Sequence, residues 1–325
     1  MDRLPLPNNN SAFADRLLSM AWAYPPKDEY RVVLLYFTPR ALTNQGDALL
    51  AMAGIIRRLS IEMKSSFFQG IPVAAFDTFL VFHSHDCLLR RRQGFPSYSW
   101  CGWIGPVIFY NPREENQWLS DKTWIIWYER RPPGSTILVW DILANEAFPV
   151  ADMNFLGYRQ RSPFGDRHAL KFPTSRTAPT QEHYFERSFP TYPILQFWTL
   201  AVYLSISDFQ VFHALAIIRD RFGKRCGRIW MDGFEETTFF ESKSPLEFII
   251  LSERGKEYKA MDSNFRDDKD IEEVYQSRET SRDYNVMLLE WNEGIAERRG
   301  LGIMYKEAVE RSFTPEPVWK EVFLA

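Results

Sequence analysis

Apolar residues recur along this chain with two different periods, and the change from one to the other divides it. Near the start, Phe13, Leu17, Leu18 and Ala21 share a helical face behind a capping Ser11, and Pro25 and Pro26 stop that helix. Leu49, Met52, Ala53, Ile56 and Leu59 recur at the same spacing, with Arg57, Arg58, Glu62 and Lys64 mostly on the other face, which predicts a second helix. Pro72 suits the first turn of a third, carrying Val73, Phe76 and Leu80. Between the first two, the run YRVVLLYF from Tyr30 to Phe37 predicts a strand. Residues 1–89 thus read as mainly helical.

Over residues 90–325 the apolar runs become short, ring-rich and β-branched. They are TWIIWYE from Thr123, TILVWDIL from Thr136, ILQFWTLAVYLSI from Ile194, FHALAIIRD from Phe212, GRIWMD from Gly227, LEFIILS from Leu246 and YNVMLLEW from Tyr284. Asp220 to Lys224, DRFGK, is a good hairpin turn because Gly223 tolerates positive φ, and Asn292 to Gly294 reads as another. The predicted fold class is α+β, with N-terminal helices followed by a mostly antiparallel β-rich region. Two polar stretches, 159–193 and 253–283, are predicted as long loops, functional or unstructured. No repeat and no linker separates the strands, so a single unit is expected.

Composition narrows the classes. A chain of 325 residues can bury a core without staples, and its three cysteines, Cys87, Cys101 and Cys226, are too few and too scattered for a disulfide framework. Lys plus Arg at 39 nearly balance Asp plus Glu at 42, which argues against nucleic-acid binding. The most apolar window, Ile194 to Ile206, is shorter than the roughly 20 residues that span a bilayer. The scattered cysteines fit a reducing compartment, so a cytoplasmic location is expected. MDRLPLPNNN has an early acid, two prolines and three asparagines where a secretory signal has a basic start and an apolar run. Eleven Trp and 26 Phe favour ring-filled β structure.

Candidate chemistry is sparse. His83, His85 and Cys87 alternate in HSHDC, and Cys101 could add a fourth soft ligand, but the spacing is not that of a common zinc site. A helix end followed by a polar turn is the plainer expectation. Asp232, Glu235, Glu236 and Glu241 form an acidic group in which Asp232 and Glu236 could do glycosidase-type acid and base work. Four acids clustered about Gly233 read more simply as a solvated loop. No phosphate-cradling glycine loop, nucleophile elbow or Cys–His pair is visible. Most tryptophans sit in apolar strands and read as core; Trp100 and Trp103 could instead serve a carbohydrate- or small-ligand-binding surface. Arg90 to Arg92 read as a solvated or carboxylate-paired turn.

Three segments carry a family resemblance. RRRQGFPSYSWCGWIG, Arg90 to Gly105, resembles the RRxGFPSWSWxGWxG segment common after the HET domain of fungal heterokaryon-incompatibility proteins, with Tyr98 in the first aromatic slot. YFTPRALTNQGDALLAMAGI, Tyr36 to Ile55, resembles that family's YTxRxLTxxxDALNAxxGI pattern, and Tyr284 to Ala325 resembles its C-terminal ending, with PLEFIILSE from Pro245 as a counterpart between. SYSWCG, Ser97 to Gly102, imitates the LSYxWG pattern of the HET domain itself, but its flanks belong to the downstream motif. The resemblance implies a fungal source and a history in non-self recognition and cell-death control. With little chain ahead of Tyr36, the expectation is a truncated or split member holding only the accessory region. That implies no catalytic residue, cofactor or metal, and a protein partner.

Overall fold

In the computed structural model of the chain, the described residues are 26–62, 65–73, 76–84, 87–109, 125, 127–131, 135–139, 190–233, 245–253 and 283–325. The helix expected behind Ser11 and nearly all of the two polar stretches lie outside them.

Tyr30 to Phe37 is not a strand but most of helix α1 (Pro26–Phe37). Its buried residues Tyr30, Val33, Leu34 and Phe37 follow the i, i+3, i+4, i+7 spacing of one helical face. An unbroken apolar run does not distinguish a strand from a buried helix, and the deciding signal lies ahead of it. Pro26 opens the helix where no N–H is needed. Helix α2 (Ala48–Glu62) lies where expected and buries Ala48, Met52 and Leu59, although Ala53 faces outward. Helix α3 (Phe76–Leu80) is short, and Pro72 does not open it. Pro72 instead belongs to strand β2 (Ile71–Pro72), which pairs with β1 (Phe67–Phe68) across Gln69 and Gly70. Both turn residues have positive φ, 49° and 76°, the geometry whose twist matches a two-residue hairpin.

Two further short ladders follow. Strand β3 (Phe82–Ser84) pairs with β6 (Val107–Phe109), and β4 (Arg90–Arg91) with β5 (Trp103–Ile104). The main sheet comprises β7 (Tyr128–Arg131), β8 (Ser135–Leu138), β9 (Ile194–Gln210), β10 (Leu215–Arg219), β11 (Arg225–Met231), β12 (Leu246–Glu253), β13 (Asp283–Asn292), β14 (Ile295–Tyr305) and β15 (Val318–Leu324). All pairings are antiparallel except the single contact of β14 with β15, so the α+β class stands. Phe212, expected in a strand, lies in a turn at Val211–His213, and the strand starts at Leu215. The predicted turns are present: Asp220 and Lys224 close one, and Glu293 and Gly294, both at positive φ, make the other.

Pairing β9 with both β12 and β10 closes β9, β12, β13, β14, β11 and β10 into a ring. Alternation then gives each strand an inner and an outer face. Val202, Leu204, Phe248, Ile250, Val286, Leu288, Met304, Ala216, Ile218 and Ile229 fill the inside. Gly227, Gly300 and Gly302 share the inward register, and a Cβ on Gly302 would stand 2.6 Å from the Arg228 carbonyl oxygen. Small residues there let neighbouring strands bend close enough to close so narrow a ring. The outer face presents Phe197, Ala201, Ile249, Met287, Leu289 and Leu301, which share a second core with Tyr30, Phe76, Phe79, Trp100 and Trp103. No described helix is long and apolar enough to cross a membrane.

Candidate functional site

The segment Arg90–Gly105 occupies the boundary between the helical layer and the outer face of the ring. Its sequence is turn-rich because it must reverse twice within a core. Ser99 caps the tight turn Trp100–Gly102 by accepting from the Cys101 N–H, 3.3 Å, and the Gly102 N–H closes onto the Ser99 carbonyl, 3.0 Å. A Cβ on Gly102 would stand 2.2 Å from the Pro96 carbonyl oxygen, so only glycine fits there.

Trp100 and Trp103 are both fully buried, and each indole N–H is satisfied. Trp100 donates to the Tyr30 hydroxyl and to the Gly70 carbonyl, 2.9 Å each, and meets Phe37 edge to face; Trp103 donates to the Ser97 carbonyl, 2.8 Å. Neither offers a face to a ligand. Tyr98 stacks on Phe68 and donates to the Pro193 carbonyl, 2.9 Å. The Ser97 N–H donates to the Ala325 carbonyl, 3.0 Å, and the Ser97 hydroxyl accepts from the Arg298 N–H, 2.9 Å. Burial pushes the Cys101 thiol up to about 12, against the opposing pull of its Ser99 hydrogen bond, so it stays neutral and unreactive.

Asp232 is not in a solvated loop. It is fully buried and accepts from Arg298 with both oxygens, 2.6 Å from Nε and 2.8 Å from Nη2. Arg298 also donates to the Leu80 carbonyl, 2.9 Å, and the Phe82 carbonyl, and lies 3.8 Å over the Phe82 ring. A bulge makes this possible: Leu288 pairs with Gly300 but Leu289 with Arg298, so Arg299 is an extra residue and Arg298 turns to the outer face. Burial raises the Asp232 carboxyl, and Arg298 opposes the rise. An acid gripped on both oxygens and sealed from solvent cannot reach a substrate proton. Glu235, Glu236 and Glu241 lie outside the described residues.

The three arginines part company. Arg90 is exposed; Arg91 lies 5.5 Å over the Trp103 ring and 4.0 Å from Glu297. Arg92, expected in a solvated or acid-paired turn, is 1% exposed and has no acid partner among the described residues. Its Nε donates to Gln45 Oε1 at 3.1 Å and its Nη1 to the Cys101 carbonyl at 3.3 Å, while Nη2 has no hydrogen-bond partner among the described residues. Burial lowers its pKa, with Cys101 opposing the fall and the nearby Arg90 adding to it. Nothing in the string RRR separated the third arginine from the first two; Arg92 follows the β4–β5 ladder, and its N–H donates to the Gly102 carbonyl, 2.7 Å.

His83 lies in β3 rather than at a helix end, buried, with its ring stacked 4.3 Å from that of Trp230. His85 lies outside the described residues, and among those described no three His, Cys, Asp or Glu side chains come together as a metal site requires. No protein-family model matches the chain, and no curated protein or solved structure matches it either.

Proposed function

We propose that the chain is a non-catalytic recognition or regulatory region of the fungal heterokaryon-incompatibility type, acting in the cytoplasm on a protein partner. The observation that carries the reading is the meeting of the three family-like segments. From the first, Thr38 accepts from the Gly105 N–H, 3.1 Å, and its hydroxyl accepts from the Val107 N–H, 3.2 Å. From the last, Arg298 and Ala325 close on Ser97. Segments far apart in sequence thus share one hydrogen-bonded boundary, which is a reason for all three to be kept together. The motif's rings, serines and glycines each have a packing or hydrogen-bonding duty there, so no chemistry has to be assigned to them. The ligand-binding reading loses its footing with Trp100 and Trp103 buried, and the hydrolase reading loses Asp232 to Arg298.

Expression of residues 1–325 in a filamentous fungus tests the proposal. Hyphae are expected to grow normally, and co-expression with a death-inducing relative is expected to blunt that relative's effect by occupying a shared partner. Growth arrest caused by residues 1–325 alone would overturn the reading, because it would place the effector within them.

A further inference from the structure

We propose that Arg92 forms the floor of an anion-binding site for a small oxyanion, a phosphate or a carboxylate, reached past Gln45. Arg92 is a buried charge with no counter-charge among the described residues. A guanidinium stays protonated in proteins, so one taken out of water demands an acid or a full set of acceptors. Arg298 has both: its Nε and Nη2 edge receives the two oxygens of Asp232, and its remaining reach is taken up by two carbonyls. The same edge of Arg92 receives a single amide oxygen, Gln45 Oε1 on Nε, and nothing on Nη2. Gln45 supplies one oxygen where an oxyanion would supply two, and the paired geometry is the one that guanidinium groups select.

The neighbours sharpen the case. Among the described residues, the titratable groups acting on Arg92 are Cys101, held neutral by burial, and Arg90, a second cation. Neither compensates it, and Arg90 adds exposed positive charge nearby. Gln45 is half-buried in the short turn Gln45–Asp47, and Thr43, Asn44, Gly46 and Asp47 around it are exposed. Binding on this route requires Gln45 to release both Arg92 Nε and its own bond to the Leu42 carbonyl, 3.0 Å, and to swing aside. The proposal does not depend on the recognition role and would hold for a chain of any activity.

Thermal melts of residues 1–325 test it, with ionic strength held constant by chloride while inorganic phosphate is titrated in one arm and acetate in the other. A saturable rise in melting temperature is expected in at least one arm; the arm that half-saturates lower identifies the group. R92K, which keeps the charge but lacks the fork, should lose the rise. R90Q should raise the half-saturating concentration about threefold to tenfold by removing a nearby cation. Q45A should lower it by a similar factor by clearing the Nε edge. If R92K does not fold, R90Q and Q45A decide. No saturable rise in either arm, an equal rise in R92K, or half-saturation unmoved in both R90Q and Q45A would overturn the site.

Discussion

Arg298 and Arg92 lie in the same boundary between helices and ring, both almost fully removed from solvent, but their surroundings differ in kind. Arg298 is met by a carboxylate, two carbonyls and the Phe82 ring, so it works as a pin that holds the end of β11, β14 and the chain around β3 in one place. Arg92 is met by one amide oxygen and one carbonyl. Burial alone therefore does not make a charged residue structural. What separates the two is whether the fold itself supplies the counter-charge, and where it does not, a ligand has a reason to bind.

The comparison breaks most readily at Asp232. D232A would strand Arg298 as a buried, uncompensated cation, and a loss of about 3–5 kcal/mol is expected by urea denaturation. Replacing both partners, D232L with R298M, should cost less than D232A alone, since it removes the orphaned charge as well. A D232A loss below about 1 kcal/mol would mean that Arg298 is no better compensated than Arg92, and the contrast would fail.

Neither arginine's surroundings could have been read from the chain. Asp232 stands before an acidic run and looked solvated, because its partner comes 66 residues later on a strand whose charged, glycine-containing sequence IAERRGLGIMY hides its alternation. LEFIILS and YNVMLLEW, by contrast, were legible as strands, since apolar and β-branched residues persist along them with punctuation on either side. Ring closure was not legible, because it depends on β9 running on to Gln210 through the polar residues Ser205, Ser207 and Asp208 to meet β10. Tyr30–Phe37 carries an unbroken apolar run with no helical period of its own, and Pro26 is the signal that marks the helix start. At the junction, turn residues and rings pointed to a packed segment, but which arginine went inside is a tertiary fact, and the Arg92–Gly102 contact goes with it.

A third guanidinium sharpens the contrast from the other side. Arg58 of α2 is shared by two acids, Glu29 at 3.3 Å and Glu62 at 2.7 Å. Burial, opposed by Arg58 and helped by Glu62, raises the Glu29 carboxyl to about 6. A carboxyl raised on folding favours the protonated folded state, so its contribution is greatest below the unfolded value of 4.5 and is lost as pH rises through about 6. Wild type should lose about 1–2 kcal/mol relative to E29Q between pH 4.5 and 7, the lower figure allowing for a partly exposed Arg58. Parallel urea midpoints for the two proteins would show it; equal pH dependence would mean that Glu29 is ordinary and that Arg58 compensates it fully.

The central claim is that Arg90–Gly105 is a structural knot joining Tyr36–Ile55 to Tyr284–Ala325, rather than a surface loop carrying chemistry. Native-state hydrogen exchange measures this directly at the amides of Arg92, Ser97, Gly102, Gly105, Val107 and Arg298, which donate across the boundary or within its tight turn. If the knot is structural, these amides open together, with free energies at or near that of global unfolding. If instead Ser97, Gly102 and Gly105 exchange as fast as an exposed loop while the ring stays protected, the segment is not part of the core and the account is wrong.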